Sequence, residues 1–219
     1  MDKILLNIAL VSYFISTTGY LGSLLIKRIF LAKISTWLLA CAFFFHTATL
    51  FTQFNLTGQN PVTHIYGSVS FFAWVIAGAY LFFQIRTKTR ILGAIVSPLT
   101  FLLVLVASQL LHGGGLLPQN LQGSLVTIHV MLSVTGEALF VLVALAGILY
   151  LLQDYQIKKR RFGALTRLLP PLKDLDRINH YGLLLGFPIL TFGLLAGSTW
   201  AGEVWGSHWQ WDPKLIWAL

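Results

Sequence analysis

Leu125-Val-Thr-Ile-His129-Val-Met-Leu-Ser133-Val-Thr-Gly136-Glu137-Ala-Leu-Phe140-Val-Leu-Val-Ala-Leu-Ala146-Gly-Ile-Leu-Tyr150-Leu-Leu152 is followed, a few residues on, by Lys158-Lys-Arg-Arg161. An apolar run of this length, holding one carboxylate, exceeds the ~20 residues that carry a helix across a hydrocarbon core of ~30 Å. The basic cluster beyond it is the kind that flanks spans on the cytoplasmic side. Working outward, similar windows fall near 4–26, 35–53, 66–85, 91–108 and 180–199, and Leu215 to Leu219 opens another. All are expected to be helical, because hydrocarbon offers an open strand edge no partner. The expected fold class is all-α: a polytopic transmembrane helix bundle, six spans plus the start of a seventh, forming one membrane domain over 1–219.

Composition agrees. The chain is 56% hydrophobic and 10% charged, with a mean hydropathy of +0.76, which is the profile of an integral membrane protein. Its one cysteine, Cys41, lies inside an apolar segment, so neither a disulfide framework nor a C-x-x-C zinc site is expected. No C-x-x-C-H occurs, which rules out covalent haem attachment to this chain itself. The first apolar run is too long for a cleaved signal peptide and leads to no small-residue cleavage site.

Charge orients the spans. Lys27, Arg28 and Lys33 lie between the first two, and Arg86, Lys88 and Arg90 between the third and fourth. Lys158, Lys159, Arg160, Arg161, Arg167, Lys173 and Arg177 precede the sixth. Together these are thirteen of the fifteen basic residues, while 54–65 and 109–124 contain none. The positive-inside rule makes the basic connections cytoplasmic (or stromal) and puts the N-terminus outside. Residues 153–178 are then expected to form a basic cytoplasmic loop, and the tryptophan-rich stretch at 200–214 lies on the outer side. The net charge of +8 is thereby spread over membrane-flanking positions, which argues against nucleic acid as a partner and for the lipid bilayer and its anionic headgroups.

Five of the seven tryptophans crowd into Trp200-Ala-Gly-Glu203-Val-Trp205-Gly206-Ser-His208-Trp209-Gln-Trp211-Asp212-Pro213-Lys214-Leu-Ile-Trp217. Two readings stand side by side: an interfacial bilayer anchor, or a flat aromatic platform for a large apolar ligand. Asp212 and Pro213 have the residue types that cap and begin a helix. Among the histidines, His129 lies near the outer end of its span, where an imidazole is suited to axial ligation of haem iron or to bonding a neighbouring helix. His46, deeper in the membrane, carries the same two readings. Glu137, eight residues after His129, falls roughly on its face, as a paired carboxylate or as part of a polar path. His64 and His112 read as ordinary loop residues.

The tail Trp205-Gly206-x-x-Trp209-x-Trp211-Asp212-Pro213-Lys214 resembles the tryptophan-rich signature of the haem-handling proteins of cytochrome c biogenesis. Arg160-Arg161-Phe-Gly-Ala-Leu, Leu175-Asp176-Arg177-Ile-Asn179 and Leu185-Gly186-Phe187-Pro188 resemble the segment leading into it in CcsA/ResC-type, system II members. Pro61-Val-Thr-His64-Ile-Tyr66-Gly67-Ser68, with Phe71-Phe72-Ala73-Trp74, is similar to their first outer loop. Ile128-His129-Val130 resembles the site of their first outer axial histidine. The family pattern differs at Gly67, Gly202, His208 and Leu215-Ile216, and such members continue into further spans that carry a second outer histidine.

The resemblance implies haem b as the ligand and transported substrate, held by His129 as an axial ligand to the iron. Trp200, Trp205, Gly206, Trp209, Trp211 and Asp212 would form the surrounding platform, and His46 is a further candidate ligand. No catalytic residue is implied; the chain would be at most a subunit of a cytochrome c haem-attachment complex. It would sit as a multi-pass protein in the bacterial cytoplasmic membrane or the thylakoid membrane. Its implied partners are an apocytochrome c bearing C-x-x-C-H and a second system II membrane subunit with a large outer domain. Two other functions are compatible with the residues: a haem exporter that passes haem to a chaperone, and a structural assembly subunit that binds none.

Overall fold

A computed structural model of the chain describes residues 3–206 apart from 27, 58–61, 63, 88, 111–122, 161–162, 164–165 and 167. Among them lie six long helices and no strand: α1 (Lys3–Ile26), α2 (Ile29–Thr57), α3 (Ile65–Thr87), α4 (Arg90–Leu110), α5 (Ser124–Lys158) and α6 (Leu172–Trp205). All six are long and apolar enough to cross a membrane. The protein is an all-α, polytopic helical membrane bundle, as its hydropathy requires. The seventh span expected from Leu215 lies outside the described residues.

The helices run longer than their apolar windows. Where 35–53 is apolar, α2 covers Ile29–Thr57; α5 continues through Lys158, and α6 begins at Leu172 and reaches Trp205. The expected loop at 153–178 is therefore helical at both ends, and the tryptophan-rich segment begins inside α6. Hydropathy registers the hydrocarbon slab, whereas a helix persists wherever backbone bonding and amphipathic packing continue. At ~1.5 Å per residue, α5 is roughly 50 Å long and outreaches a ~30 Å core. Its polar last turn is joined by Lys158 Nζ to Asp154 Oδ2 at 2.7 Å. It stops where Arg160 takes a left-handed φ of 52°. The start of α6 is amphipathic, with Leu175 and Ile178 fully buried and Asp176 and Arg177 exposed.

Helices α1 to α4 form an antiparallel four-helix unit. α1 packs on α2 and α4, α3 packs on α4, and α5 joins through α3. α6 rests almost wholly on α5. Lipid supplies no hydrophobic drive between helices, so close packing and interhelical hydrogen bonds hold such a unit together. Ser16 Oγ donates to the Ser35 carbonyl at 2.9 Å and Thr17 Oγ1 pairs with Ser97 Oγ at 2.9 Å. Tyr20 bonds Thr36 at 2.8 Å and Tyr80 at 3.1 Å. These ties link α1 to all three of its bundle neighbours. Pro98 and Pro188 lie inside α4 and α6, and each removes the donor for a carbonyl four residues earlier.

The alternation of helix direction gathers Lys33, Arg86, Arg90, Lys158, Lys173 and Arg177 at one end of the bundle. The start of α5 and the end of α6, with His129 and Trp200, lie at the other.

Candidate functional site

The seam between α5 and α6 is antiparallel and very close. Gly136 faces Leu190, Gly186 faces Phe140 and Gly193 faces Ser133. The approaches at Gly193 and Gly197 shape the end that carries His129. A Cβ at Gly193 would stand 2.8 Å from the Ser133 backbone nitrogen. One at Gly197 would stand 2.6 Å from His129 Nδ1 and 2.7 Å from its Cε1. The half-buried imidazole thus lies flush against α6 at a place that only hydrogen leaves open.

His129 Nδ1 is 2.7 Å from the Gly193 carbonyl oxygen, and Ser133 Oγ is 3.4 Å from the same nitrogen. A carbonyl can only accept, so Nδ1 carries the proton and Nε2 keeps its lone pair. A backbone acceptor on one ring nitrogen is the usual device that orients a metal-binding histidine and fixes its tautomer. The arrangement can present a neutral imidazole nitrogen, held on two packed helices, to a Lewis acid such as haem iron.

Of the other expected site residues, Trp200 is half-buried three residues beyond Gly197, on the adjoining part of the same helix face. Trp205 is the last residue of α6. Gly206 terminates the helix: its φ is 69°, the left-handed region, and its N–H donates to the Gly202 carbonyl at 3.0 Å. That is a C-terminal glycine stop, which accounts for a Trp-Gly pair in backbone terms. Trp209, Trp211 and Asp212, with His208, lie outside the described residues. The structure therefore brings His129, Trp200, Trp205 and Gly206 to one end of one helix pair.

His46 is engaged elsewhere. It is completely buried, with Nδ1 3.2 Å from the Tyr13 hydroxyl and Nε2 2.8 Å from Ser70 Oγ. Either tautomer lets one nitrogen donate and the other accept, so both ring nitrogens are engaged and the ring ties α1, α2 and α3 together. Replacing His46 with Leu is expected to orphan both hydroxyls and lower stability by about 1–3 kcal/mol. Haem content per folded protein should not change. A melting curve and a pyridine haemochrome assay on the same sample check both halves.

Glu137 does not share the His129 face. Eight residues at ~100° each leave the two about 80° apart, and Glu137 points out of the described bundle while Gly136 meets α6. His64 is more ordered than a loop histidine suggests. It stacks on Tyr66 with centroids 5.1 Å apart and planes at 7°, and its Nδ1 is buried without a partner among the described residues. Sequence reasoning also passed over the glycines. Gly182-x-x-x-Gly186 and Gly193-x-x-x-Gly197 carry the small-residue spacing of close membrane helix pairs, and that signal marks the face of α6 that meets His129.

Comparison with known proteins fits these observations. The sequence model of the family described as Cytochrome C assembly protein matches residues 62–219, more than half of the chain. A "Cytochrome c biogenesis protein CcsA" from Guillardia theta is 29% identical over 97% of this chain and 77% of its own length. Proteins of the same description from Prochlorococcus marinus (strain MIT 9312) and Chlamydomonas reinhardtii are 29% and 30% identical. They cover 88% and 78% of this chain, and 69% and 49% of their own lengths. The chain thus spans between about half and three quarters of the length of these relatives.

Proposed function

The chain belongs to the cytochrome C assembly protein family, and from that premise we propose that it holds haem b, as substrate, at the outer membrane face for delivery to apocytochrome c. His129 Nε2 is the axial ligand. Trp200, Trp205, Gly206, Trp209, Trp211 and Asp212 are the residues proposed to contact the porphyrin. Haem brings an iron that takes imidazole and vinyl groups to which the two thiols of a C-x-x-C-H segment add.

The hydrogen bond from His129 Nδ1 to the Gly193 carbonyl carries this reading. It pre-sets the tautomer and aims the ligating nitrogen before anything binds, which reduces the ordering needed on association. Gly197 lets the ring lie flat on α6 with no side chain in the way. The collection of basic residues at the opposite end supports assigning that end to the cytoplasm and the His129 end to the outer face. A second system II membrane subunit with a large outer domain is the expected co-worker. The membrane is the bacterial cytoplasmic membrane or the thylakoid membrane.

An absorbance spectrum of the purified protein tests the proposal: a Soret band with extractable haem b is expected, and their absence would end it. Trp209→Ala and Trp211→Ala should each lower bound haem by half or more while the protein stays in the membrane fraction. Full haem content and normal cytochrome c maturation in both variants would return the tryptophans to a bilayer-anchoring role.

A further inference from the structure

Residues 3–136 contain no aspartate or glutamate. Helices α1 to α4 therefore hold cations for which the four-helix unit has no carboxylate. At its basic end α2, α3 and α4 enclose a cleft of about 440 Å³ whose lining includes Lys33, Arg90, Gln84, Trp37, Leu81 and Ile85. The ion pair formed among the described residues is that of Lys158 with Asp154, so neither Lys33 nor Arg90 is neutralised there. Gln84, in the last turn of α3, adds a second, independent sign. Its amide oxygen is buried and has no hydrogen-bond partner among the described residues, a condition that costs about 1–3 kcal/mol unless a donor is supplied.

The two halves of the cleft differ in chemistry. The cations and the orphaned amide form one part; Leu81, Ile85 and Trp37 form an apolar wall. Trp37 and Ile85 are 78% and 80% exposed, so the wall opens sideways from the bundle, toward lipid. An occupant must therefore bring an anion for Lys33 and Arg90, a hydroxyl donor for Gln84, and hydrocarbon for the wall.

We infer that this cleft is a binding site for an acidic phospholipid with a hydroxylated headgroup, phosphatidylglycerol being the simplest case. Its phosphate lies between Lys33 and Arg90, the Gln84 amide turns its oxygen into the cleft to accept from a headgroup hydroxyl, and an acyl chain covers Leu81, Ile85 and Trp37. Basic pockets between helices at the cytoplasmic end of membrane proteins take anionic headgroups on these physical grounds. Burial of the apolar wall under one ordered chain adds a contact that a bulk headgroup lacks. The site lies at the opposite end of the bundle from His129 and is independent of haem handling.

The test uses the full chain purified in detergent, with bound lipid read by native mass spectrometry and stability by thermal shift. Phosphatidylglycerol is expected to remain bound and to raise the melting temperature, whereas phosphatidylcholine with the same acyl chains does not. Lys33→Gln with Arg90→Gln should lower retained phosphatidylglycerol at least five-fold; Arg86→Gln, an exposed charge outside the cleft lining, should leave it unchanged. Gln84→Leu distinguishes a ligand contact from a folding defect: stripped of lipid it should melt no lower than the parent, yet lose most of the phosphatidylglycerol shift. Equal retention in the double variant, an equal shift with phosphatidylcholine, or an equal loss with Arg86→Gln would each overturn the inference. So would displacement of the lipid by added haemin with a matching loss of haemin binding in the double variant, which would assign the cleft to a porphyrin carboxylate.

Discussion

Replacing His129 with Ala is expected to lower haem retained through purification by roughly ten-fold or more, since even losing the outer support of a metal-bound imidazole typically costs 10–100-fold. On the proposed reading the substitution deletes the ligating nitrogen, and it leaves the Gly193 carbonyl without its His129 partner. It also opens a pocket of imidazole size between α5 and α6. Added imidazole should therefore restore part of the bound haem and part of the parent spectrum, because it fits the vacated space and meets the same carbonyl. A Soret band of unchanged position and intensity in the variant would remove His129 from the site. Ser133→Ala should have a much smaller effect, since its hydroxyl lies 3.4 Å from Nδ1 while the carbonyl bond persists.

The second large effect is expected at Gly193. A valine there puts a Cβ against the backbone of Ser133, which cannot rotate aside as a flexible side chain can. The helices must part, and overpacking of this kind costs about 1–3 kcal/mol. Because α6 rests almost wholly on α5, with a small contact to α3, little else among the described residues holds it in register. The expected outcome is a lowered melting temperature together with loss of haem, even though His129 is untouched. Gly22→Val is the matched control, since a Cβ at that position meets nothing within 4 Å. Equal stability and haem content for both valine variants would show that the seam does not position the imidazole.

The existence and class of the helices were legible from hydropathy, because a bilayer leaves helical backbone as the only answer for such segments. Their ends were not. Residues 153–158 and 172–178 are polar enough to read as loop, but they continue helices whose bonding does not stop at the hydrocarbon boundary. At the site, the tail motif and Ile128-His129-Val130 singled out His129 by resemblance. What orients it was hidden, because the acceptor is a main-chain atom 64 residues away in sequence. His46 shows the converse. An intramembrane histidine is conspicuous in sequence, yet its two partners, Tyr13 and Ser70, belong to other helices and no local pattern announces them. Glu137 appeared aligned with His129 from spacing alone, and an offset of about 80° carried it to another face.

The partner that holds the His129 proton is the backbone of residue 193, and no point substitution can delete a carbonyl. An alanine scan along α6 would find no histidine partner at all; it would register only a position intolerant of bulk. Ser133 of α5 and Gly197 of α6 touch the ring itself; elsewhere along α6, variation acts on that imidazole by moving the helix, so changes down to the Gly182 and Gly186 contacts reach it as displacement and not as altered chemistry.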